Sequence, residues 1–154
     1  MPKIDVGSIG ERVGSSYPTP FGEPCATRVR KALGDAAGLT DFGVNLLRLP
    51  PRAWSSQRHW HSAEDEFVFV LKGEVILVTD EGEQTLVEGD CAGFPKGATN
   101  GHKLVNRSGR DVLCLEVGTR GQGDICTYSD IDMVIDDKVG WFAHKDGTPY
   151  EPQK

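Results

Sequence analysis

Two histidines one residue apart, His59 and His61, open the segment with the clearest chemistry, HWHSAEDE at residues 59–66. Side chains at positions i and i+2 of a β-strand point to the same face, so both imidazoles can reach one metal ion. Trp60 then faces the opposite way. Glu66 begins the next extended run and can add a carboxylate oxygen from a neighbouring strand. This pattern predicts a metal site, because imidazole and carboxylate groups bind several first-row divalent ions.

Short apolar runs surround this segment and predict the elements that position it. Residues 66–71 and 74–79 can form a hairpin across a turn at Lys72 and Gly73. Further runs, separated by glycine-rich turns, are residues 42–49, 85–87, 90–94, 102–106 and 112–117. Many short strands at this spacing are typical of a β-sandwich or barrel, so we predict an all-β fold.

The run at residues 42–49, FGVNLLRL, leaves open which of its faces points inward. The two alternatives for the inward face are Val44, Leu46 and Arg48, or Asn45, Leu47 and Leu49. An inward Arg48 could bind a substrate carboxylate or phosphate through paired hydrogen bonds. The other alternative leaves Arg48 solvated on the outer face, where arginine is usually found.

The spacing of His59, His61 and Glu66, with Gly73 ending the run, resembles the first motif of the cupin superfamily. Four residues separate His61 from Glu66, and the apolar run begins directly after Glu66. Both features favour Glu66 over the adjacent acids as the ligand. We interpret Glu64 and Asp65 as part of a solvated connection.

Residues 89–106, GDCAGFPKGATNGHKLVN, resemble the second cupin motif. The matching positions are Gly89, Pro95, Gly97, His102 and Asn106. The chain departs from the motif because four residues, instead of two, separate Gly97 from His102. The strict count would select Asn100, but the interval from His102 to Asn106 is retained. We therefore expect a longer turn that delivers His102, with Asn106 holding a turn or a backbone group in place.

The resemblance implies a double-stranded β-helix, or jelly-roll barrel, over residues 42–118. Residues 1–41 would form an N-terminal arm that contains a short helix over residues 25–38. Residues 119–154 would form a C-terminal tail. The resemblance also implies a homodimer and one divalent ion per chain, zinc, manganese, iron or nickel. The implied ligands of that ion are His59, His61, Glu66 and His102.

The layout is similar to that of small cupins grouped with mannose-6-phosphate isomerase-like and sugar phosphate isomerase-like proteins. It implies a metalloenzyme, isomerase-like, acting on a sugar, a sugar phosphate or a carboxylic acid. Glu116 is the candidate general base if it faces inward; it could instead support a ligand histidine or be solvated on the outer face. The alternatives are a non-catalytic module that binds a sugar or acid, and an iron-dependent dioxygenase.

The composition of the 154-residue chain is acidic, with 23 Asp and Glu against 17 Lys and Arg and a net charge of -6. The length favours one domain. Because the basic residues are scattered, we do not expect nucleic acid as a partner. The sequence shows no secretion signal and no apolar run of bilayer length, so we expect a cytoplasmic protein without membrane contact.

Two further groups of residues carry structural expectations. The four cysteines, Cys25, Cys91, Cys114 and Cys126, lie far apart without a CxxC pair, so we predict buried free thiols that are neither disulfides nor nucleophiles. The tail is rich in aromatic residues and is expected to pack on the barrel or on a second copy. His144, also in the tail, is expected to cap or support an interface.

Overall fold

The computed structural model describes residues 3–136, 138 and 140–151, and this part of the chain is built almost entirely from antiparallel strands. The strands are β1 (Arg12–Val13), β2 (Val29–Ala32), β3 (Phe42–Leu49), β4 (His59–His61), β5 (Glu66–Lys72), β6 (Glu74–Thr79), β7 (Gly82–Val87), β8 (Cys91–Phe94), β9 (Lys103–Val105), β10 (Val112–Thr119), β11 (Ile125–Tyr128), β12 (Val134–Asp136) and β13 (Trp141–Ala143). Two 3-10 turns, Val6–Ser8 and Glu23–Cys25, and the short helix α1 (Leu33–Ala36) complete the described elements.

Three antiparallel sheets enclose the interior. The largest has the strand order β1-β2-β3-β10-β5-β8, the second β13-β12-β11-β4, and the third β7-β6-β9. The all-β barrel predicted from the sequence is confirmed. Sheet pairing also crosses both predicted segment boundaries, because β2 pairs with β3 and β11 pairs with β4. The boundaries after residues 41 and 118 stay a prediction.

The main core lies between the large sheet and the three-stranded sheet, and it decides the orientation of β3. Leu47 and Leu49 are fully buried there, beside Val70 and Val112. Arg48 points the other way, where it pairs with Asp111 (3.4 Å) and Glu11 (3.7 Å). The alternative with an inward Arg48 is therefore wrong, because burying two leucines removes more apolar surface from water than burying Leu46 beside a charge.

The helix expected over residues 25–38 is mostly absent. Its first half forms a 3-10 turn and strand β2, and only Leu33–Ala36 is helical. Pairing of β2 with β3 supplies the backbone hydrogen bonds that a helix would otherwise make, so tertiary context overrides the local propensity. Gly38 follows the helix with φ +72°, in the left-handed region that terminates helices.

A second buried cluster joins the N-terminal arm to the tail. Tyr17 and Cys25 from the arm pack against Tyr128, Met133 and Phe142 from the tail. The Tyr17 ring lies 5.5 Å from the rings of both Tyr128 and Phe142. Arm and tail thus share one small core beside strand β4.

The outer face of β5 is not covered by a second layer within the described residues. Phe67 and Leu71 are each 41% exposed there. This strand therefore presents apolar side chains to solvent on its outer face in the single chain. An exposed apolar strand face is a common feature of protein interfaces, and the homodimer stays a prediction. No described helix has the length and apolar character to cross a bilayer.

Candidate metal centre

Strand β4 carries His59 and His61 on one face, and its two neighbours fix its position. On one side β11 pairs with it, placing Cys126 opposite His61 and Tyr128 opposite His59. On the other side the main chains of His59 and His102 exchange two N–H···O bonds of 3.1 and 2.9 Å. The strand is thereby held between the tail and the second motif, and its histidines face the interior.

The Nε2 atoms of three histidines converge on one oxygen of Glu66. The distances to Glu66 Oε2 are 3.0 Å from His102, 3.4 Å from His59 and 3.5 Å from His61. Glu66 is the first residue of β5, where pairing with Phe94 and Gly118 fixes its backbone. The four residues that the cupin resemblance implied as ligands thus lie together, although their role as ligands stays a prediction.

The longer turn before His102 still places its imidazole in this group. Gly97 takes φ +77°, a conformation that suits glycine in a turn, and the Phe94 ring stacks on the His102 ring at 3.5 Å. Asn100 instead accepts a hydrogen bond from the backbone N–H of Asp80 (2.8 Å). The register that selects His102 over Asn100 therefore agrees with the geometry.

The Nδ1 atoms of two histidines have partners that orient the rings. His61 Nδ1 lies 2.6 Å from Asp124 Oδ2, and His59 Nδ1 lies 2.9 Å from the Gln57 carbonyl oxygen. A carbonyl can only accept, so His59 carries its proton on Nδ1 and turns the lone pair of Nε2 toward Glu66. Metal-binding histidines show the same arrangement, in which a carboxylate or carbonyl holds the far nitrogen.

Two buried polar atoms of the group have no hydrogen-bond partner among the described residues. These are Glu66 Oε2 and His102 Nδ1. The three Nε2 atoms surround this oxygen of Glu66 at 3.0–3.5 Å. Buried polar atoms normally find partners. The unsatisfied oxygen and the nitrogen-rich surroundings therefore fit a divalent ion.

The protonation states at neutral pH favour metal ligation by two of these residues. Burial disfavours ionisation of Glu66, but His102 and His59 outweigh burial and hold the pKa of Glu66 well below its usual range. Burial likewise lowers the pKa of His102, against the opposing effect of Glu66. An ionised carboxylate and a neutral imidazole are the forms that bind metal ions.

His61 differs, because its partners favour the protonated ring. Burial opposes the charge, but Cys126, Glu66 and Asp124 outweigh it and raise the pKa of His61 to about 10. The raised pKa favours the protonated ring in the absence of a metal ion, with Asp124 near Nδ1 and Glu66 near Nε2. Metal binding at this ring is coupled to the release of that proton.

Two other groupings near the centre are close enough to hold an ion. One combines His59 and His61 with Cys126, and the other combines His61 with Glu64 and Asp124. Burial raises the pKa of the Cys126 thiol, which keeps it in the form that binds metals poorly. Glu64 accepts a hydrogen bond from the Gly121 N–H (3.0 Å) and lies 3.8 Å from His61 Nδ1, so it contacts the far side of that ring.

The centre opens into a cavity of about 490 Å³, a volume typical of small-molecule sites. His59, Glu66 and His102 line one part of this cavity, and Glu116 from β10 lines another. Of the positions left open for Glu116, the inward one is found. Its carboxylate accepts two hydrogen bonds from Arg30, at 2.7 and 2.8 Å.

Several residues around the centre escaped the sequence reasoning. Asp124 holds His61, Arg30 holds Glu116, and Arg28 contributes a second guanidinium to the cavity. None of them belongs to a local motif, since their partners are far away in the sequence. A weak signal was available for the arginines, because their i, i+2 spacing would place both on one face of a strand. Asn106 was anticipated correctly: its side chain donates to the carbonyls of Leu49 and Arg110, both at 2.7 Å.

Comparison with known proteins places the chain in a family. Residues 45–118 match the cupin domain family. Over 97% of both chains, the sequence is 48% identical to a Silicibacter pomeroyi protein described as a sugar phosphate isomerase from a cupin superfamily, whose crystal structure superposes with a TM-score of 0.92. This chain belongs to the cupin superfamily. No curated protein matches the cupin significantly by sequence.

Two further solved structures resemble this cupin less closely. A candidate sugar phosphate isomerase from Acidithiobacillus ferrooxidans is 30% identical, with a TM-score of 0.73 over 84% of this cupin and 82% of that chain. The polyketide cyclase RemF from Streptomyces resistomycificus is 20% identical, with a TM-score of 0.60 over 77% and 79% of the two chains. The similarity to RemF concerns the fold alone.

Proposed function

We propose that this cupin binds one divalent metal ion through His59, His61, Glu66 and His102 and acts with it on a small polar metabolite, as an isomerase-like enzyme. The observation that carries the proposal is the approach of three Nε2 atoms to one buried oxygen of Glu66 at 3.0–3.5 Å. Similarity to the Silicibacter pomeroyi protein supports sugar phosphates as the substrate class. The identity of the metal and the reaction belong to this proposal.

A bound divalent ion would supply Lewis-acid polarisation of a substrate carbonyl or hydroxyl oxygen. The cavity walls orient the substrate and separate it from bulk water. Glu116 is the proposed base: one of its carboxylate oxygens takes a proton from the hydroxyl-bearing carbon next to the carbonyl and returns it to the former carbonyl carbon, while the proton of that hydroxyl passes to the former carbonyl oxygen. Arg30 fixes the direction of that carboxylate through its two hydrogen bonds. The transfer conserves atoms and electrons, as an isomerisation requires.

A non-catalytic binding function is the second candidate, and one observation favours it. Both oxygens of Glu116 are engaged by Arg30, so no carboxylate oxygen of this residue is free of a charged partner. Such a carboxylate is well placed to shape a binding site and less well placed to accept a proton. Turnover separates the candidates: a ligand that stabilises the metal-loaded protein and is recovered unchanged indicates binding alone.

The first experiment is elemental analysis of protein purified without a chelator or a His tag. We expect about one first-row metal ion per chain, since the donor set suits such ions. The variant His59→Ala/His61→Ala should lose the metal. His144→Ala is the matched control, because His144 pairs with Asp132 (2.9 Å) in the tail and is absent from the ligand group. Equal metal content in all three proteins would contradict the proposal.

A further inference from the structure

Two arginines lie side by side in the cavity wall, away from the histidines. Arg28 immediately precedes β2 and Arg30 lies within it, so both side chains point to the same face. Their guanidinium groups both donate to the carbonyl oxygen of Ser55, Arg30 at 3.2 Å and Arg28 more closely. Both line the same cavity as His59, and Arg28 is only 9% exposed. We call these two residues the arginine pair.

The charges of the arginine pair are only half compensated. Glu116 accepts two hydrogen bonds from Arg30. Arg28 makes no salt bridge with any described residue, and its guanidinium donates to the carbonyls of Gly14 and Ser55. Burial, followed by the charge of Arg30, lowers the pKa of Arg28, but a guanidinium remains protonated in proteins. One buried positive charge in the cavity wall is therefore left without a carboxylate.

A hydroxyl group near the arginine pair also lacks a partner. Ser15 lines the cavity, and its buried hydroxyl oxygen makes no hydrogen bond within the described part of the chain. The preceding residue, Gly14, accepts the bond from Arg28 at 2.9 Å, which places Ser15 next to that guanidinium. A rotation about the side-chain bond of Ser15 can turn this hydroxyl toward a ligand. Forked guanidinium donors and a hydroxyl together suit an anion with several oxygens.

The arginine pair also favours a doubly charged anion over a singly charged one. Arg28 has no carboxylate partner among the described residues, and its guanidinium lies beside that of Arg30 at the Ser55 carbonyl. A phosphate monoester carries about -1.5 to -2 at neutral pH, whereas a carboxylate carries a single charge. Because the attraction grows with the charge of the ligand, a phosphate should bind there more tightly than a carboxylate.

We propose that Arg28, Arg30 and Ser15 form a phosphate subsite, which binds the phosphate of a phosphomonoester whose hydroxyl or carbonyl end reaches the metal centre. The orientation of the ligand, with its other end at the metal centre, rests on the proposed function. The phosphate subsite does not rest on it, since Arg28, Arg30 and Ser15 take no part in metal binding. Inorganic phosphate can therefore test it in protein freed of metal.

The first test is calorimetric titration of the chelator-treated protein with inorganic phosphate, glucose 6-phosphate, glucose and glucuronate. We expect both phosphates to bind, glucuronate to bind at least about 10-fold more weakly because it carries a single charge, and glucose not to bind measurably. Added salt should weaken the binding of phosphate. Failure of both phosphates to bind the folded wild-type protein, or equal binding of glucose and glucose 6-phosphate, would overturn the proposal.

Variants assign the binding to the subsite. Arg28→Lys retains the charge but loses the fork, and it should weaken phosphate binding about 10- to 100-fold. Ser15→Ala should weaken it about 2- to 10-fold, as loss of one hydrogen bond does. Arg48→Met is the control, because Arg48 lies outside the cavity with Glu11 and Asp111 as partners. If Arg28→Lys does not fold, Ser15→Ala and the ligand ranking decide; wild-type affinity in Ser15→Ala and in any folded Arg28→Lys would overturn the assignment.

The same titration separates this inference from the proposed function. His59→Ala/His61→Ala should bind inorganic phosphate as the chelated wild-type protein does, while losing its metal. Phosphate binding by a wild-type protein that takes up no metal ion, even when divalent ions are added back, would sustain the subsite and reject the metalloenzyme. Metal binding by a protein that has no affinity for phosphate would sustain the metal site and reject the phosphate subsite.

Discussion

The cavity has two ends that differ in how the chain builds them. At the metal end, His59, His61 and Glu66 follow one another within eight residues, and a second motif supplies His102. At the arginine end, Arg30 and Glu116 are 86 residues apart and meet only because β2 and β10 both pair with β3. The metal end is therefore assembled from local spacing, and the arginine end from sheet topology.

The two ends also differ in how well their polar atoms are satisfied. At the metal end a buried oxygen of Glu66 has no hydrogen-bond partner among the described residues. At the other end both oxygens of Glu116 are occupied by Arg30. Unsatisfied atoms mark the place where a ligand is expected, whereas satisfied ones mark a scaffold. At the arginine end, the groups left for a ligand are the Arg28 charge, which no described carboxylate balances, and the Ser15 hydroxyl, whereas Arg30 is shared with Glu116.

The largest expected effect comes from Glu116→Gln, which tests whether the arginine end is also catalytic. If Glu116 is the base, kcat on a sugar phosphate that the enzyme turns over should fall about 10²- to 10⁴-fold. The same substitution frees Arg30 from its carboxylate, so KM for the phosphorylated substrate should fall as well. Steady-state kinetics separate the two parameters. An unchanged kcat with a lower KM would leave Glu116 a purely electrostatic role.

His102→Ala tests the metal end at the ligand that lies farthest along the sequence from the other three. Removing one imidazole from a set of four ligands should lower metal affinity by about 100-fold or more, since even residues that only support ligands contribute 10- to 100-fold. Competition with a chromogenic chelator measures the affinity. His144→Ala should retain the wild-type value. Full metal affinity in His102→Ala would show that the second motif contributes a different ligand.

Asp124→Asn tests the support of the metal end and should have a smaller effect. The carboxylate of Asp124 orients His61 through a contact of 2.6 Å, and its loss should weaken metal binding about 10- to 100-fold. The chelator competition used for His102→Ala gives this number too. Asp130→Asn provides the comparison, because Asp130 pairs with Arg58 at 2.6 Å and takes no part in the ligand group. Equal metal affinities in Asp124→Asn and Asp130→Asn would show that Asp124 does not support metal binding.

The smallest effect concerns the thiols, none of which belongs to the four proposed metal ligands or to the phosphate subsite. All four cysteines are free, and Cys91 alone among them is exposed. Burial raises the pKa of Cys25 and Cys126, and burial together with Glu116 raises the pKa of Cys114 to about 12. An aromatic disulfide reagent at neutral pH should therefore modify one thiol per native chain rapidly and four after denaturation. Rapid modification of a second native thiol would contradict the burial of the other three.

The local parts of the fold and of the site could be predicted from the sequence. The period-two spacing of His59 and His61 requires only that the segment be extended, which its neighbours favour. Gly73 and Gly97 mark turns because their positive φ values, 91° and 77°, suit glycine. Burial of isolated thiols is confirmed for Cys25, Cys114 and Cys126, but the prediction is wrong for Cys91, which is exposed at the start of β8. For the histidine spacing and the turns, neighbouring residues supply the physical constraint, so a single stretch of sequence is sufficient.

The sequence by itself determined the barrel class, the first three ligand candidates and the register that selects His102. Only the tertiary structure decided the orientation of Arg48, the conversion of a predicted helix into β2, and the partners Asp124 and Arg30. The physical reason is that β-sheet pairing joins residues that are far apart in the chain, and its hydrogen bonds and burial override local preference. The spacing of neighbouring residues can specify which side chains share a face of a strand, but only the tertiary structure determines which residues that face contacts.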